Sequence, residues 1–104
     1  MTTGKAWSDK EIKLIVASYV WMLQRELKGE KFNKSMVRRS TVCHLDGRSE
    51  GSYEMKCCNL SAACASVGLP WIQGYKPRDG FQRSLVPAML QACADVGIDP
   101  RPTS

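Results

Sequence analysis

Apolar residues recur at three- and four-residue steps in four stretches of the chain, and each stretch predicts a helix. Ile12, Ile15, Val16, Tyr19, Leu23 and Leu27 fall on one helical face. Ser8 and Glu11 have the spacing of a capping box, Trp7 and Ile12 that of a hydrophobic staple, and Gly29 marks the stop. A second helix follows Asn33, a good N-cap. Val37, Thr41 and Leu45 form a thin apolar stripe along it, Lys34, Arg38 and Arg39 lie off the stripe, and Gly47 stands near its end. A third starts at the cap residue Ser49, with Glu50 in the first turn where the helix dipole favours an acid. Tyr53, Cys57, Leu60, Cys64 and Val67 line its core face, and Cys58 lies about 100° round from Cys57, at the edge. Ser52, Lys56 and Asn59 fall on the other side, and Gly68 and Pro70 end the run.

The stretch LPWIQGYKPRDG, residues 69–80, mixes Pro, Gly and aromatics, which marks an ordered loop. A last helix is expected over roughly Phe81–Val96, with Asp79 and Gln82 as a possible cap pair. Pro87 requires either a kink or a start nearer Ser84. Leu85, Met89, Ala92, Cys93 and Val96 form its apolar face. With no repeat and no β-alternation, the expected fold is all-α: a small helical bundle. The 104 residues suit one domain, with an ordered core over about 7–97 and a tail or linker over 98–104.

Charge changes this picture by its placement. Residues 31–83 carry nine Lys and Arg against four Asp and Glu, so the whole net charge of +5 lies in the middle of the chain. A localised basic surface suits a polyanion such as nucleic acid. An ordinary solvated basic face is the plainer alternative. No apolar run approaches the ~20 residues that cross a bilayer, and the first residues contain no apolar secretory core, so a cytoplasmic protein without a membrane partner is expected.

The candidate chemistry is thin. The five cysteines include no CxxC pair, and His44 is the single histidine, so the four-ligand spacing of a zinc site is missing. Buried free thiols are the expected role. Asp46, Glu54 and Lys56 echo the D…ExK pattern of metal-dependent nucleases. On a helix, however, Glu54 and Lys56 point about 200° apart and cannot share one metal. An HNH site needs more than one histidine, and no glycine-rich phosphate loop follows a strand. The expectation is a protein without catalytic activity, cofactor or metal.

Binding fits better. A compact helical core whose third helix turns polar residues outward, within a basic middle of the chain, matches helix-turn-helix readers of double-stranded DNA, whose third helix enters the major groove. Lys56 can donate to guanine or phosphate, and Asn59 can pair with adenine. Arg48 and Ser49, with Ser52 in the same turn, are placed to hold a phosphate at the helix start. Lys34, Arg38 and Arg39 are candidates for the opposite strand. Tyr75, Lys76 and Arg78, with Trp71, either pack the loop or meet nucleic acid, and Gln82 either caps helix four or joins them.

A resemblance adds to this reading. W-S-x-x-E-I at Trp7–Ile12 and L-x-G-R-S at Leu45–Ser49 resemble the Myb/SANT type of helix-turn-helix. Over Trp7 to about Leu90, the ordered set R-S-x-G-S at 48–52, E-x-K-x-x-N at 54–59, G-Y-K-P at 74–77 and Gln82 is similar to an N-terminal domain of bacterial restriction-type proteins. The resemblance implies a DNA-targeting module, for modified DNA in some cases, preceding an HNH nuclease or another effector domain. Asp79–Gly80 depart from the family's usual asparagine, and cysteines replace small or aliphatic residues. Two other functions stay open: a helical adaptor that docks a partner or dimerises, favoured if Trp21, Met22 and Trp71 form an exposed apolar patch, and a thiol redox sensor.

Overall fold

The computed structural model describes residues 6–100. Four helices form: α1 Asp9–Leu27, α2 Lys34–Val42, α3 Glu50–Ser66 and α4 Leu85–Asp95, with no strand among the described residues. α1 and α3 are central. They pack on each other, and each also packs against both α2 and α4, while α2 and α4 do not meet.

Local chemistry sets the helix ends. Ser8 accepts from the Glu11 amide while Glu11 accepts from the Ser8 amide, which completes the expected capping box. Asn33 and Ser49 cap α2 and α3 through the Met36 and Ser52 amides. Gly68 has φ 78°, a left-handed value that costs glycine little, and this lets the Leu69 amide reach back to the Cys64 carbonyl at 2.9 Å. Gly29 and Gly97 end α1 and α4 in the same way. Ile98, expected in the tail, closes the last of these motifs and packs against the core.

Two helix boundaries differ from expectation. α2 stops at Val42, so Leu45 is buried from the following turn rather than from the helix. α4 begins at Leu85 rather than Phe81, and this is the later start, near Ser84, that Pro87 allowed. Ser84 occupies the cap position without a side-chain hydrogen bond, so neither Asp79 nor Gln82 caps it. Pro87 is the third residue of α4, inside the first turn where its missing N–H removes no helical bond.

The core joins Ile15, Tyr19, Met22 and Leu23 of α1, Tyr53, Cys57, Leu60 and Cys64 of α3, and Leu85, Met89 and Cys93 of α4. The loop after α3 is part of it, because Leu69, Ile72 and Tyr75 are buried. One hydroxyl organises this loop. Tyr19 Oη accepts from the Ile72 amide at 3.0 Å and lies 2.6 Å from Ser61 Oγ, so three chain segments meet at one buried polar point. Outside it, the Gln73 amide donates to Glu26 and the Arg78 amide to the Cys58 carbonyl.

The cysteines are all free. Cys57, Cys64 and Cys93 are buried and Cys58 is half-buried, whereas Cys43 is exposed, against the expectation of buried thiols throughout. Burial pushes the Cys57 thiol up, and contact with Cys93 together with burial does the same to Cys64, so both remain protonated. Among the described residues no group of His, Cys, Asp or Glu could hold a metal, and no helix is long and apolar enough to cross a membrane.

Candidate nucleic-acid interface

α3 has two faces, as its periodicity requires. Tyr53, Cys57, Leu60 and Cys64 are fully buried. The C-terminal half is covered on other sides too, since Ser61, Ala62 and Ala63 are also buried. What remains open is the first two turns: Glu50, Gly51, Glu54 and Met55 are exposed, with Ser52 and Lys56 half-buried beside them.

Cationic side chains reach this open end from separate parts of the chain. From α2, Arg38 donates through Nε to Glu50 at 2.9 Å and through Nη1 to Glu54 at 2.9 Å. Glu50 and Glu54 are one turn apart on the same ridge, a spacing visible in the sequence, yet their role as a clamp for Arg38 was not expected. Lys34 donates to the Gly74 carbonyl at 3.1 Å, with its ammonium 4.3 Å from the centre of the Tyr75 ring. The loop then runs past α3, where Asn59 Nδ2 donates to the Arg78 carbonyl at 3.0 Å. The Arg78 backbone is thereby held beside α3, and Lys76 stands two residues earlier in the loop; both side chains are exposed.

On the opposite flank, the Trp7 ring carries two cations, Arg48 at 4.6 Å and Lys56 at 5.2 Å from its centre. Burial and the neighbouring Arg48 lower the Lys56 pKa. Trp7 is half-buried against the core, as a staple residue should be, and is also this cationic platform, a second use that sequence spacing does not reveal.

Several sequence-derived candidates have other partners. Arg48 is bound by Glu11 and by the Ala6 carbonyl, so its guanidinium is built into the fold rather than held out at the α3 start. Tyr75 is only 2% exposed, so its ring packs the loop and does not offer a stacking face. Asn59 is occupied by Arg78, and Ser49 spends its hydroxyl on the Ser52 amide and hydroxyl. Arg39 and Gln82 are exposed, and neither has a hydrogen bond or ion pair linking it to α3. The geometry therefore brings Arg38 and Lys56 onto α3, Arg38 in ion pairs with Glu50 and Glu54, and anchors the loop at Arg78 on the same helix, while Lys34 is held by the loop at Gly74 and Tyr75. The ExK pair is separated as helical geometry requires, with Glu54 on Arg38 and Lys56 on Trp7.

No protein-family model matches the chain, and neither a curated protein nor a solved structure matches it significantly.

Proposed function

We propose that this chain is a non-catalytic module for double-stranded DNA, with the first two turns of α3 entering the major groove as a recognition helix. The observation that carries this reading is that Arg38 from α2 and Lys56 from α3 flank the open first two turns of α3, while the loop that carries Lys76 and Arg78 is anchored further along the same helix, at Cys58 and Asn59. Cations from α2, α3 and the loop thus border one helix, and phosphate contacts from such separate segments fix a reader on a duplex. The resemblance to restriction-type targeting domains supports a place in such a system in a bacterial cytoplasm, with plain or modified DNA as the target and a nuclease or effector as its companion. The test is a salt titration of duplex binding. Affinity falls steeply as salt rises, because each neutralised phosphate releases counterions, with a log–log slope of about −0.9 per phosphate. No binding to any duplex at low salt overturns the reading.

One observation favours an adaptor instead. Trp21 is 44% exposed and, with Ala17, Ser18, Val37, Ser40 and Thr41, lines a groove between α1 and α2. The larger patch expected with Met22 and Trp71 does not form, because Met22 is fully buried in the core and Trp71 is half-buried. A tight dimer by light scattering, with salt-insensitive DNA data, is the outcome that selects this alternative.

A further inference from the structure

α1 carries an outward ridge at four-residue spacing: Asp9, Lys13, Ala17, Trp21 and Arg25. The first four are exposed, Trp21 at 44%, and Arg25 is half-buried. Among the described residues neither Asp9 nor Lys13 has an ion-pair partner. Arg25 meets Glu30 only at 3.5 Å, with its guanidinium 4.4 Å from the centre of the Trp21 ring. Ala17, the smallest residue of the ridge, stands at its centre and lines a groove on each side. One groove lies against α4 and includes Ile12, Val16, Ala88 and Ala92, with Lys13 and Asp95 as its charged members. The other lies against α2 and includes Trp21 and Val37.

The chemistry of the ridge is antisymmetric about Ala17. An acid stands eight positions before it and a base eight after, and a cation stands four before and an aromatic ring four after. Such a ridge is complementary to itself in reverse. Two antiparallel helices whose four-residue ridges run side by side cross at about −50°, the commonest class of helix packing, and a small residue at the crossing lets them approach closely. A two-fold axis at Ala17 then sets Asp9 beside Arg25 of the other copy, and Lys13 beside its Trp21, each contact occurring twice. The apolar stem of Lys13 lies on the ring while its ammonium stays in water. The other acids nearby, Asp95 in the α4 groove and Glu30 on Arg25, balance Lys13 and Arg25, so like charge does not hold two copies apart. A purely acidic partner would face Asp9 and Asp95, and a purely basic one Lys13 and Arg25. We propose that the α1 ridge from Asp9 to Arg25 is a self-association surface, on which a second copy of this chain packs antiparallel about Ala17. A contact centred on one pair of helices is small, so the dimer forms and separates with concentration. The inference stands on α1 and its grooves and does not rest on the DNA-binding reading.

Sedimentation equilibrium of the full chain at rising concentration is the test, with no duplex present, so failure of the DNA-binding reading leaves its result unchanged. Wild type passes from monomer to dimer. Asp9→Lys and Arg25→Asp keep the wild-type helix signal by circular dichroism. Each alone sets like charges together twice per dimer and weakens association about tenfold. An equimolar mixture of these two variants forms a heterodimer of wild-type strength, because both contacts then join opposite charges. Ala17→Glu, at an exposed site, brings two carboxylates to the two-fold axis and leaves the chain monomeric. A wild-type chain that stays monomeric to the limit of its solubility overturns the proposal. A dimer that survives Ala17→Glu overturns α1 as its surface. A mixture no tighter than either charge variant alone overturns the antiparallel register.

Discussion

Glu11 and Arg48 form a buried, two-pronged ion pair that joins the first turn of α1 to the residue before the α3 cap. Arg48 donates through Nε and Nη2 to the two carboxylate oxygens, both at 3.0 Å, and the pair's side chains are 6% and 10% exposed. Glu11 also accepts from the Ser8 and Asp46 amides. One carboxylate therefore caps α1 and fixes the turn between α2 and α3. The hydrogen bonds from Arg48 hold its pKa down to about 2, against the opposing effect of burial. Arg48→Ala leaves that carboxylate buried without its main partner and costs about 3 kcal/mol or more by urea denaturation at neutral pH. Because the folded pKa is depressed, the carboxylate's contribution is complete above about pH 4.5 and is lost as pH falls toward about 2. Glu11→Gln is less stable at pH 6 and shows a flatter stability profile between pH 4.5 and 2.

Two of the three buried tyrosines, Tyr19 and Tyr75, respond oppositely to loss of their hydroxyls. Tyr19→Phe strands the Ile72 amide and the Ser61 hydroxyl in the core and destabilises by about 1–3 kcal/mol. The Tyr75 hydroxyl is buried and has no hydrogen-bond partner. Tyr75→Phe is accordingly neutral or stabilising, and paired thermal melts of the two variants reveal the contrast.

Alanine at two glycines separates helix propensity from helix termination. Gly51→Ala adds a Cβ within α3 whose nearest neighbour, Ser49 Oγ, is at an ordinary 3.8 Å, and raises stability by up to about 1 kcal/mol. Gly68→Ala forces an L residue to φ 78° and lowers stability by about 1 kcal/mol or more. Chemical denaturation midpoints with unchanged slopes verify both signs.

If the proposed DNA-binding role holds, charge changes around α3 act on duplex affinity in both directions. Glu54→Gln removes an acid from the open face and one of the two carboxylates holding Arg38, so affinity rises and the salt dependence steepens. Lys76→Ala and Arg78→Ala each weaken binding and reduce the slope by about 0.9. Cys58→Ser leaves binding unchanged. Fluorescence anisotropy at several salt concentrations measures all four.

Thiol accessibility follows burial. Cys43 reacts promptly with an aromatic disulfide reagent in the native protein, whereas Cys57, Cys64 and Cys93 react only on unfolding. Prompt reaction of three or more thiols in the folded state contradicts this packing and revives a redox role.

The helices, their caps and the buried face of α3 are legible from residue order, because each depends on neighbours within four positions. Ser8 with Glu11, Asn33, Ser49 and the run Tyr53, Cys57, Leu60, Cys64 show this directly. The start of α4 was harder to place, since propensity allows several starts near Pro87 and packing of Leu85 chooses one. The partners of the charged residues lay beyond local reach altogether. Glu11 and Arg48 are 37 positions apart, Lys34 and Gly74 are 40, and Arg38 meets acids 12 and 16 positions away. A basic side chain looks the same in sequence whether it waits for phosphate or closes an ion pair. Only the folded chain, by bringing distant groups within hydrogen-bond reach, assigns Arg48 and Tyr75 to the fold, pairs Arg38 with Glu50 and Glu54, and leaves the first two turns of α3 open.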